Sequence, residues 1–522
     1  MTVRTRFAPS PTGYLHIGGV RTALFNWLYA RRHGGQFILR IDDTDQQRNV
    51  EAALAPILHG FRWLGLDWDE GPEVGGPHEP YFQSKRSEKY AEAVRILLDQ
   101  GAAYHDYASS EEIAAERTAA ELEKRPFVYS RRFAALSTKD RAKFEQQGRQ
   151  PVVRLMMPRE GSVVIPDQIR GDVTFQWDQE QDHVIQRVDG SCLYHLATVV
   201  DDRDFAITHV IRAEEHLSNT PRQVFIARQL GYELPEFAHM PFVAEPGSKV
   251  KLSKRKLDKY LKNRDFKALA DLGMRIAERT AMDVTAETFN PVIVDFYEKT
   301  GFLPEAIVNY LLLLGWALDD RTEEFNRDEM IAQFGFDGIS RGAASFDAQK
   351  LLAFQQRYMQ RMDLKKKGAM VLPYLQTTGC VDSPPPCDTS RRLTQILLAA
   401  GDRITIAGDI LDYVSFFQEA SEIEYDEVAF EKRIRKPEEA TELLREFREV
   451  LARVEPFEAS HLEGTLKEFV DQQGIKIGQV IHALRVATTG KAVGFGMFQA
   501  LEILGADQVL ARIDQALELA SR

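Results

Sequence analysis

Apolar and polar positions alternate in two different rhythms along this chain. A short β-like run at residues 3–8 is followed by a Pro/Ser/Gly turn and an amphipathic run at 20–32. In that run Leu24, Trp27 and Leu28 recur at helical spacing. Up to residue 105, strand-like runs such as 37–41 alternate with helical ones at 52–64 and 88–98. This alternation predicts the first half of a parallel sheet covered by helices. Residues 106–185 change rhythm. A charged helical stretch at 111–124 leads into β-like runs at 152–157, 162–166 and 173–177, which reads as an inserted α+β module. The parallel sheet is expected to resume near Asp182, with strands at 184–187 and 208–211 and a helix at 221–230. The last third is helical. Leu443, Leu444, Phe447, Val450 and Leu451 mark one apolar face. Ser460 with Glu463 reads as a capping box ahead of Leu466, Phe469 and Val470. Residues 383–386, a Ser followed by three prolines, are expected to separate two helical subdomains.

At 522 residues the chain is too long for one core. Its 44% hydrophobic and 28% charged residues describe an ordinary globular protein. No apolar run is long enough to span a bilayer, so no membrane partner is expected. The turn described above begins by residue 9, which leaves no room for a targeting peptide and predicts a cytoplasmic location. Three scattered cysteines, Cys192, Cys380 and Cys387, do not make a disulfide framework. A net charge of -12 argues against indiscriminate nucleic-acid binding. It leaves room for a shape-selective RNA on local basic surface, at 249–267, 357–367 or 432–436.

Two turns carry the candidate chemistry. Pro9-Ser10-Pro11-Thr12-Gly13 and His16-Ile17-Gly18-Gly19 lie between a strand and a helix. There free N–H groups, a positive dipole end and glycine backbone suit a phosphate, and a histidine adds a donor. Far downstream, Lys251-Leu252-Ser253-Lys254-Arg255 puts three cations in five residues after the loop at 245–249. Basic clusters are in general solvated surface, and a lone histidine at a glycine turn is in general structural.

Together and in this order, the two turns resemble the two signatures of class I aminoacyl-tRNA synthetases. The flanking text narrows the resemblance. RFAPSPTG at 6–13, RTALFN at 21–26, RIDDTD at 40–45, YHLATVVDD at 194–202, HVIRAEEH at 209–216 and GFLPEA at 301–306 look like glutamyl-tRNA synthetases of the bacterial type. The likeness is dense over 1–105 and 186–255 and thinner toward the C-terminus. It implies an α/β fold: a Rossmann-like nucleotide-binding catalytic domain with an α+β insertion, followed by an all-α anticodon-binding region. The implied divisions are 1–105 and 186–240 for the catalytic halves, 106–185 for an acceptor-end module and 241–335 for a stem-contact region with the lysine loop. Residues 336–382 and 388–522 would be two helical anticodon subdomains.

The resemblance also implies the activity: glutamate attacks the α-phosphate of ATP, and the adenylate is passed to the 3′-terminal adenosine of tRNA-Glu. Catalysis would rest on His16, Lys251 and Lys254. ATP would lie against Pro9, Thr12, Gly13, His16, Gly18, Gly19, Glu215, Lys251, Leu252, Ser253, Lys254 and Arg255. Glutamate would be held by Arg6, Ser10, Asp42, Tyr194, Thr198 and Arg212, with the two arginines as carboxylate forks. ATP brings Mg2+, no other metal is expected, and the family is usually monomeric.

The chain departs from the family in four places. Asp42 stands where bacterial glutamyl enzymes usually have glutamate and glutaminyl enzymes aspartate. Asp106 and Ala108 stand where some relatives have paired cysteines, so no zinc is predicted; His105 with Asp106 alone is a weak metal site. Residues 256–300 replace a shorter, glycine-containing continuation, and Leu269, Leu272, Met274 and Ile276 predict one or two inserted helices. Positions 353 and 355 lack the usual tryptophan and asparagine. Arg485, in an anticodon-side pattern, reads as either an RNA contact or a helix cap. The rival readings are an enzyme that also charges tRNA-Gln, a glutaminyl-tRNA synthetase, and an inactive tRNA-binding paralogue.

Overall fold

The computed structural model describes residues 2–11, 13–44, 50–125, 127–253 and 256–522. These form two compact units. The first comprises Met1–Lys267, Asn290–Asp295 and Ile307–Ala348; the second comprises Ala268–Phe289, Phe296–Ala306 and Gln349–Arg522.

The first unit is α/β. Strand β1 (Arg4–Phe7) pairs in parallel with β2 (Gln36–Leu39), from Arg4 opposite Gln36 to Phe7 opposite Leu39. Parallel neighbours need a crossover, supplied by α1 (Ile17–Arg32). Phe37, Ile38 and Leu39 are fully buried, as expected for a strand covered on both faces. Asn26 of α1 ties the layers together. Its carbonyl accepts from Thr5 Oγ1 (2.9 Å), and its Nδ2 donates to the carbonyl of Ile211 (2.9 Å). Helices α2 (Val50–Trp63) and α3 (Ser87–Asp99) follow.

An antiparallel sheet comes next, built from β3 (Ala103–Asp106), β4 (Ala134–Ala135), β5 (Val152–Leu155) and β8 (Val184–Gln186) in the order β4-β3-β5-β8. Helices α4 (Ser110–Leu122) and α5 (Thr138–Gln146) lie between its strands in sequence. The hairpin of β6 (Ser162–Asp167) and β7 (Gly171–Gln176) does not join it. It extends the parallel layer instead, in the order β7-β6-β10-β9, with β9 (His209–Ala213) and β10 (Glu236–Met240) parallel to each other. Helix α6 (Tyr194–Asp204) precedes β9, and α7 (Thr220–Gln229) connects β9 to β10. The Thr208 N–H donates to the carbonyl of Arg4 (3.0 Å) and sets β9 beside β1.

Two expectations change here. Residues 184–187 were expected to resume the parallel sheet, yet β8 runs antiparallel to β5, with Val184 opposite Arg154 and Gln186 opposite Val153. The hairpin at 162–176, expected inside the insertion, is an edge of the parallel layer through Phe237 opposite Asp167. The reason is common to both. A short apolar run shows that a strand exists but carries no record of its partner, which is chosen by long-range packing. Ile185, Val153 and Leu155 share one buried cluster with Val163, Ile165 and Phe237, so both strands are placed by the common core they complete.

After β11 (Val243–Ala244), which pairs with β12 (Ala344–Ser345), come α8 (Leu257–Tyr260) and α9 (Arg264–Arg279). These are the helices expected in the extra segment. Leu269 and Ile276 are buried there, Leu272 is half-buried and Met274 is exposed.

The second unit is helical around one hydrophobic cluster running from Val371 to Ala516. The helix Ala440–Leu451 buries Leu443, Leu444, Phe447 and Leu451 as its spacing predicts, each contributing about 1.5–3 kcal/mol. The proline-rich loop does not divide this core. Val371 and Leu375 before it and Leu393 and Ile396 after it belong to the same cluster. The expected capping box at Ser460 is also displaced. The helix Ala459–Gln473 starts from Glu458 in extended backbone, the Ala459 N–H is taken by Glu502 (3.1 Å), and Ser460 falls inside the helix. Gln355, in place of the usual asparagine, bridges Leu303 N–H (2.9 Å) and the Thr405 carbonyl (3.0 Å), and Ala353 is exposed. Arg485 donates to the carbonyl of Phe495 (2.9 Å), so its guanidinium secures the segment before the helix Met497–Leu504.

Candidate active site

Every described residue of the predicted set lines one cavity of about 1330 Å³ in the first unit: Arg6, Pro9, Ser10, Gly13, His16, Gly18, Gly19, Asp42, Tyr194, Thr198, Arg212, Glu215, Lys251, Leu252 and Ser253. Thr12, Lys254 and Arg255 lie outside the described residues.

The turn after β1 shapes one end. Gly13 adopts φ +103°, a conformation that only glycine takes without strain. His16 caps α1 with φ -91° and ψ 136°, and its Nδ1 accepts from the Gly18 N–H at 2.9 Å. That bond requires an unprotonated Nδ1, so the neutral ring carries its proton on Nε2, a donor. A Cβ on Gly18 would sit 3.1 Å from Nδ1 and crowd the cap. The strap at 290–295 holds the turn from behind: Ile17 N–H donates to Val292 (3.0 Å), and Val294 N–H to Leu15 (3.0 Å).

The opposite end is a buried charge cluster. Tyr194, Thr198 and Asp202 are four residues apart on α6 and share one face of it. Asp202 grips Arg6 with both oxygens, at 3.1 and 3.2 Å, and accepts from Arg40 Nη1 at 2.8 Å. Burial pushes the Asp202 carboxyl up, but Arg6 and Arg40 outweigh it and hold the group below its ordinary value. Arg40 also holds Asp42, at 2.7 and 3.2 Å. Burial dominates at Asp42 and, against Arg40, lifts its pKa to about 6. Asp201 lies 3.8 Å from Arg40 Nε and is hydrogen-bonded by Arg86 (2.7 Å), Gln83 (2.9 Å) and Tyr90 (2.9 Å).

Arg212 differs from Arg6. Its Nε donates to His239 Nε2 (3.0 Å), Nη1 to Gln223 Oε1 (2.8 Å) and Nη2 to Thr220 Oγ1 (2.9 Å). All three acceptors are neutral. No carboxylate among the described residues pairs with it, and burial lowers its pKa to about 10. Around this end the guanidiniums of Arg6, Arg40, Arg86 and Arg212 face the carboxylates of Asp42, Asp201 and Asp202, which leaves one net positive charge. The buried hydroxyl of Thr198 has no hydrogen-bond partner among the described residues.

The lysine loop closes the remaining side. Leu252 is buried, its N–H donates to Val243 (2.9 Å), and Lys251 lies opposite Ala244. Lys251 Nζ meets Glu215 Oε1 at 2.6 Å. The Ser253 N–H donates to Tyr260 OH (2.8 Å), an anchor supplied by the unusual continuation of the loop. His216, beside Glu215, is pushed down to about 4 by burial.

Sequence reasoning did not single out Arg40, Asp202, Thr220, Gln223 or His239. The first two stood inside quoted motifs, and a charged residue following a buried apolar run was the available signal. At the site of the missing cysteines, the Asp106 carboxylate is taken by Tyr129 OH (2.6 Å) and Arg154 Nε (2.8 Å). Among the described residues no three His, Cys, Asp or Glu side chains gather as a metal site.

Residues 2–284 and 288–353 match the family described as tRNA synthetases class I (E and Q), catalytic domain, and residues 346–517 match an anticodon binding domain. The chain is 41% identical over 514 residues to a glutamate–tRNA ligase of Moorella thermoacetica, covering 98% of each chain. It is 38% identical to a glutamate–tRNA ligase of Syntrophomonas wolfei, covering 100% of this chain and 97% of the relative. A glutamate tRNA ligase from Elizabethkingia meningosepticum, crystallised in complex with its amino acid, superposes with a TM-score of 0.81 at 30% identity over 99% of both chains. Similarity at this level along the full length shows the family directly: the chain belongs to the class I tRNA synthetases of the glutamate and glutamine group.

Proposed function

We propose that this protein is a glutamate–tRNA ligase. It activates L-glutamate with ATP, delivered with Mg2+, to glutamyl-adenylate and pyrophosphate, and then esterifies the 3′-terminal adenosine of tRNA-Glu. In the first step an α-carboxylate oxygen of glutamate bonds to the α-phosphorus as the bond to pyrophosphate breaks. That displacement needs alignment and positive charge more than a proton shuttle.

His16 offers its Nε2–H, and the turn at Gly18 and Gly19 its backbone, to the phosphate chain. Lys251 exchanges Glu215 for phosphate oxygens when ATP enters, and Lys254 adds a second cation at the developing charge. Asp42 is engaged by Arg40, and Mg2+ travels with the nucleotide rather than in an all-protein cage. Asp42 and Ser10 receive the α-ammonium group, and Thr198 and Tyr194 line the amino-acid side.

The observation that carries the reading is Arg212: a buried guanidinium on the cavity wall, held only by neutral acceptors. Glutamate brings one net negative charge to a site with one net positive charge; glutamine brings none. The test is charging of purified tRNA-Glu and tRNA-Gln with labelled glutamate and, separately, labelled glutamine. Glutamate on tRNA-Glu is expected. Glutamate on both tRNAs would make the enzyme non-discriminating, glutamine incorporation would make Asp42 the deciding residue, and no charging would overturn the reading.

A further inference from the structure

We propose that His239 is the positioning residue of the carboxylate fork. Held in one tautomer by Asp167, it fixes the guanidinium of Arg212 through a neutral acceptor and thereby reserves that charge for the substrate. The inference rests on the reading of Arg212 as the glutamate anchor.

His239 is fully buried on β10 and lies opposite Arg212 in the β9–β10 ladder. Its Nδ1 is 2.6 Å from Asp167 Oδ2. Asp167 stands at the end of β6, where that hairpin joins the parallel layer. It also accepts the backbone N–H groups of Ile169 (3.0 Å) and Arg170 (2.9 Å) on Oδ1, and that of His239 (3.0 Å) on Oδ2. Burial alone would raise its pKa. His239 and these N–H groups outweigh burial and keep the carboxyl ionised. An ionised carboxylate only accepts, so the proton of the neutral ring sits on Nδ1. Nε2 is then a lone pair, to which the Arg212 Nε–H donates at 3.0 Å and the Thr220 hydroxyl at 3.2 Å.

This order of groups has a chemical consequence. Asp202 grips Arg6 with both oxygens and shares its charge. Asp167 reaches Arg212 only through an imidazole, which transmits orientation without supplying a second carboxylate to the fork. A guanidinium has five N–H donors, the bonds to His239, Gln223 and Thr220 use three of them, and the Tyr194 hydroxyl on the cavity side is its further hydrogen-bonding partner. The hairpin at 162–176 thereby acquires a role beyond packing, because it delivers the residue that sets the tautomer.

Two amide substitutions separate the two ends of the ring. In His239→Gln the side-chain amide falls near Nε2 and can still accept from Arg212. In His239→Asn it falls near Nδ1, satisfies Asp167 and leaves Arg212 Nε–H without its acceptor. Asp167→Asn keeps its oxygen on the Ile169, Arg170 and His239 N–H groups, turns its NH2 toward Nδ1 and drives the ring proton to Nε2, where it faces Thr220 Oγ1 (3.2 Å) and the ring no longer accepts from Arg212.

Steady-state aminoacylation of tRNA-Glu by the full-length protein, with melting temperatures for every variant, decides the matter. For His239→Asn and Asp167→Asn the KM for glutamate should rise about tenfold or more, and the preference for glutamate over glutamine should fall in step. The KM for ATP should stay within about twofold, and His239→Gln should return the KM for glutamate to within about threefold of the parent. Nitrogen-15 chemical shifts of the His239 ring should report a proton on Nδ1 in the parent and on Nε2 in Asp167→Asn. Equal loss in His239→Gln and His239→Asn, or a parallel rise in both KM values, would reduce His239 to a packing residue and overturn the proposal. An unchanged KM for glutamate in His239→Asn would do the same while the ligase reading stood. If the parent protein fails to charge glutamate at all, it is the ligase reading that falls.

Discussion

Replacing Arg212 by glutamine removes one charge from the cavity wall while keeping an amide at the Nε position, able to donate to His239. For the free protein two terms oppose each other. The folded-state pKa of about 10 lies below the ordinary 12.5, so both states are protonated at neutral pH and the folded state carries the full burial penalty there. At 1.36 kcal/mol per unit the penalty is about 3 kcal/mol, and the substitution removes it. Three hydrogen bonds are lost or weakened at about 1 kcal/mol each, which offsets the gain. The melting temperature should therefore move by only a few degrees. Binding has no such cancellation. A carboxylate about 4 Å from the guanidinium gains about 4 kcal/mol at an effective dielectric of 20, and a substrate that must shed water keeps part of that. A loss of about 3 kcal/mol, on the order of 100-fold in kcat/KM for glutamate, is the expectation, with the KM for ATP nearly unchanged. The assay is aminoacylation of tRNA-Glu at varied glutamate and, separately, varied ATP, alongside thermal melts. Arg212→Gln enzyme with kcat/KM for glutamate within about threefold of the parent would refute the reasoning and shift carboxylate recognition to Arg6.

Three further outcomes are expected. Burial lifts the pKa of Asp42 to about 6, with Arg40 pulling it down and the carboxylates of Asp201 and Asp202 pushing it up, so Asp42 loses its charge as pH falls through 6. The KM for glutamate should rise below that pH, and Asp42→Asn should abolish the dependence. Because the pKa of Asp42 is raised by folding, its ionisation costs stability at neutral pH, and the asparagine variant should melt higher there. Thr198→Val deletes a buried hydroxyl that has no partner among the described residues, so urea unfolding should show no loss of stability; the KM for glutamate should rise about fivefold to tenfold, the worth of one hydrogen bond. Lys254→Ala should lower kcat about 100-fold with little change in the KM for glutamate, and unaffected formation of glutamyl-tRNA would falsify the role assigned to that lysine.

Much of this protein was legible before its structure. The turn after β1, α1 and the apolar face of the helix Ala440–Leu451 depend on residues close in sequence, where backbone freedom and helical spacing act locally. The two signature loops were readable for the same reason. Strand partners were not. The run at 184–186 chose β5, and the run at 162–167 chose β10, because a strand's existence is local whereas its neighbour is set by which buried surface it completes. The capping box at Ser460 failed similarly: a distant carboxylate, Glu502, took the N–H that begins the helix.

Arg6 and Arg212 show where that division falls for function. In the sequence both are arginines on a strand beside a motif, and they read as equal halves of a carboxylate site. The structure separates them. Arg6 is gripped by Asp202, almost two hundred residues away, and shares its charge. Arg212 is held by Thr220, Gln223 and His239, whose neutrality leaves its charge unspent. Residue identity determined that two positive charges would be available. Only the tertiary structure decided which one stays uncompensated, because the field at a buried charge depends on the groups packed around it and not on its neighbours along the chain.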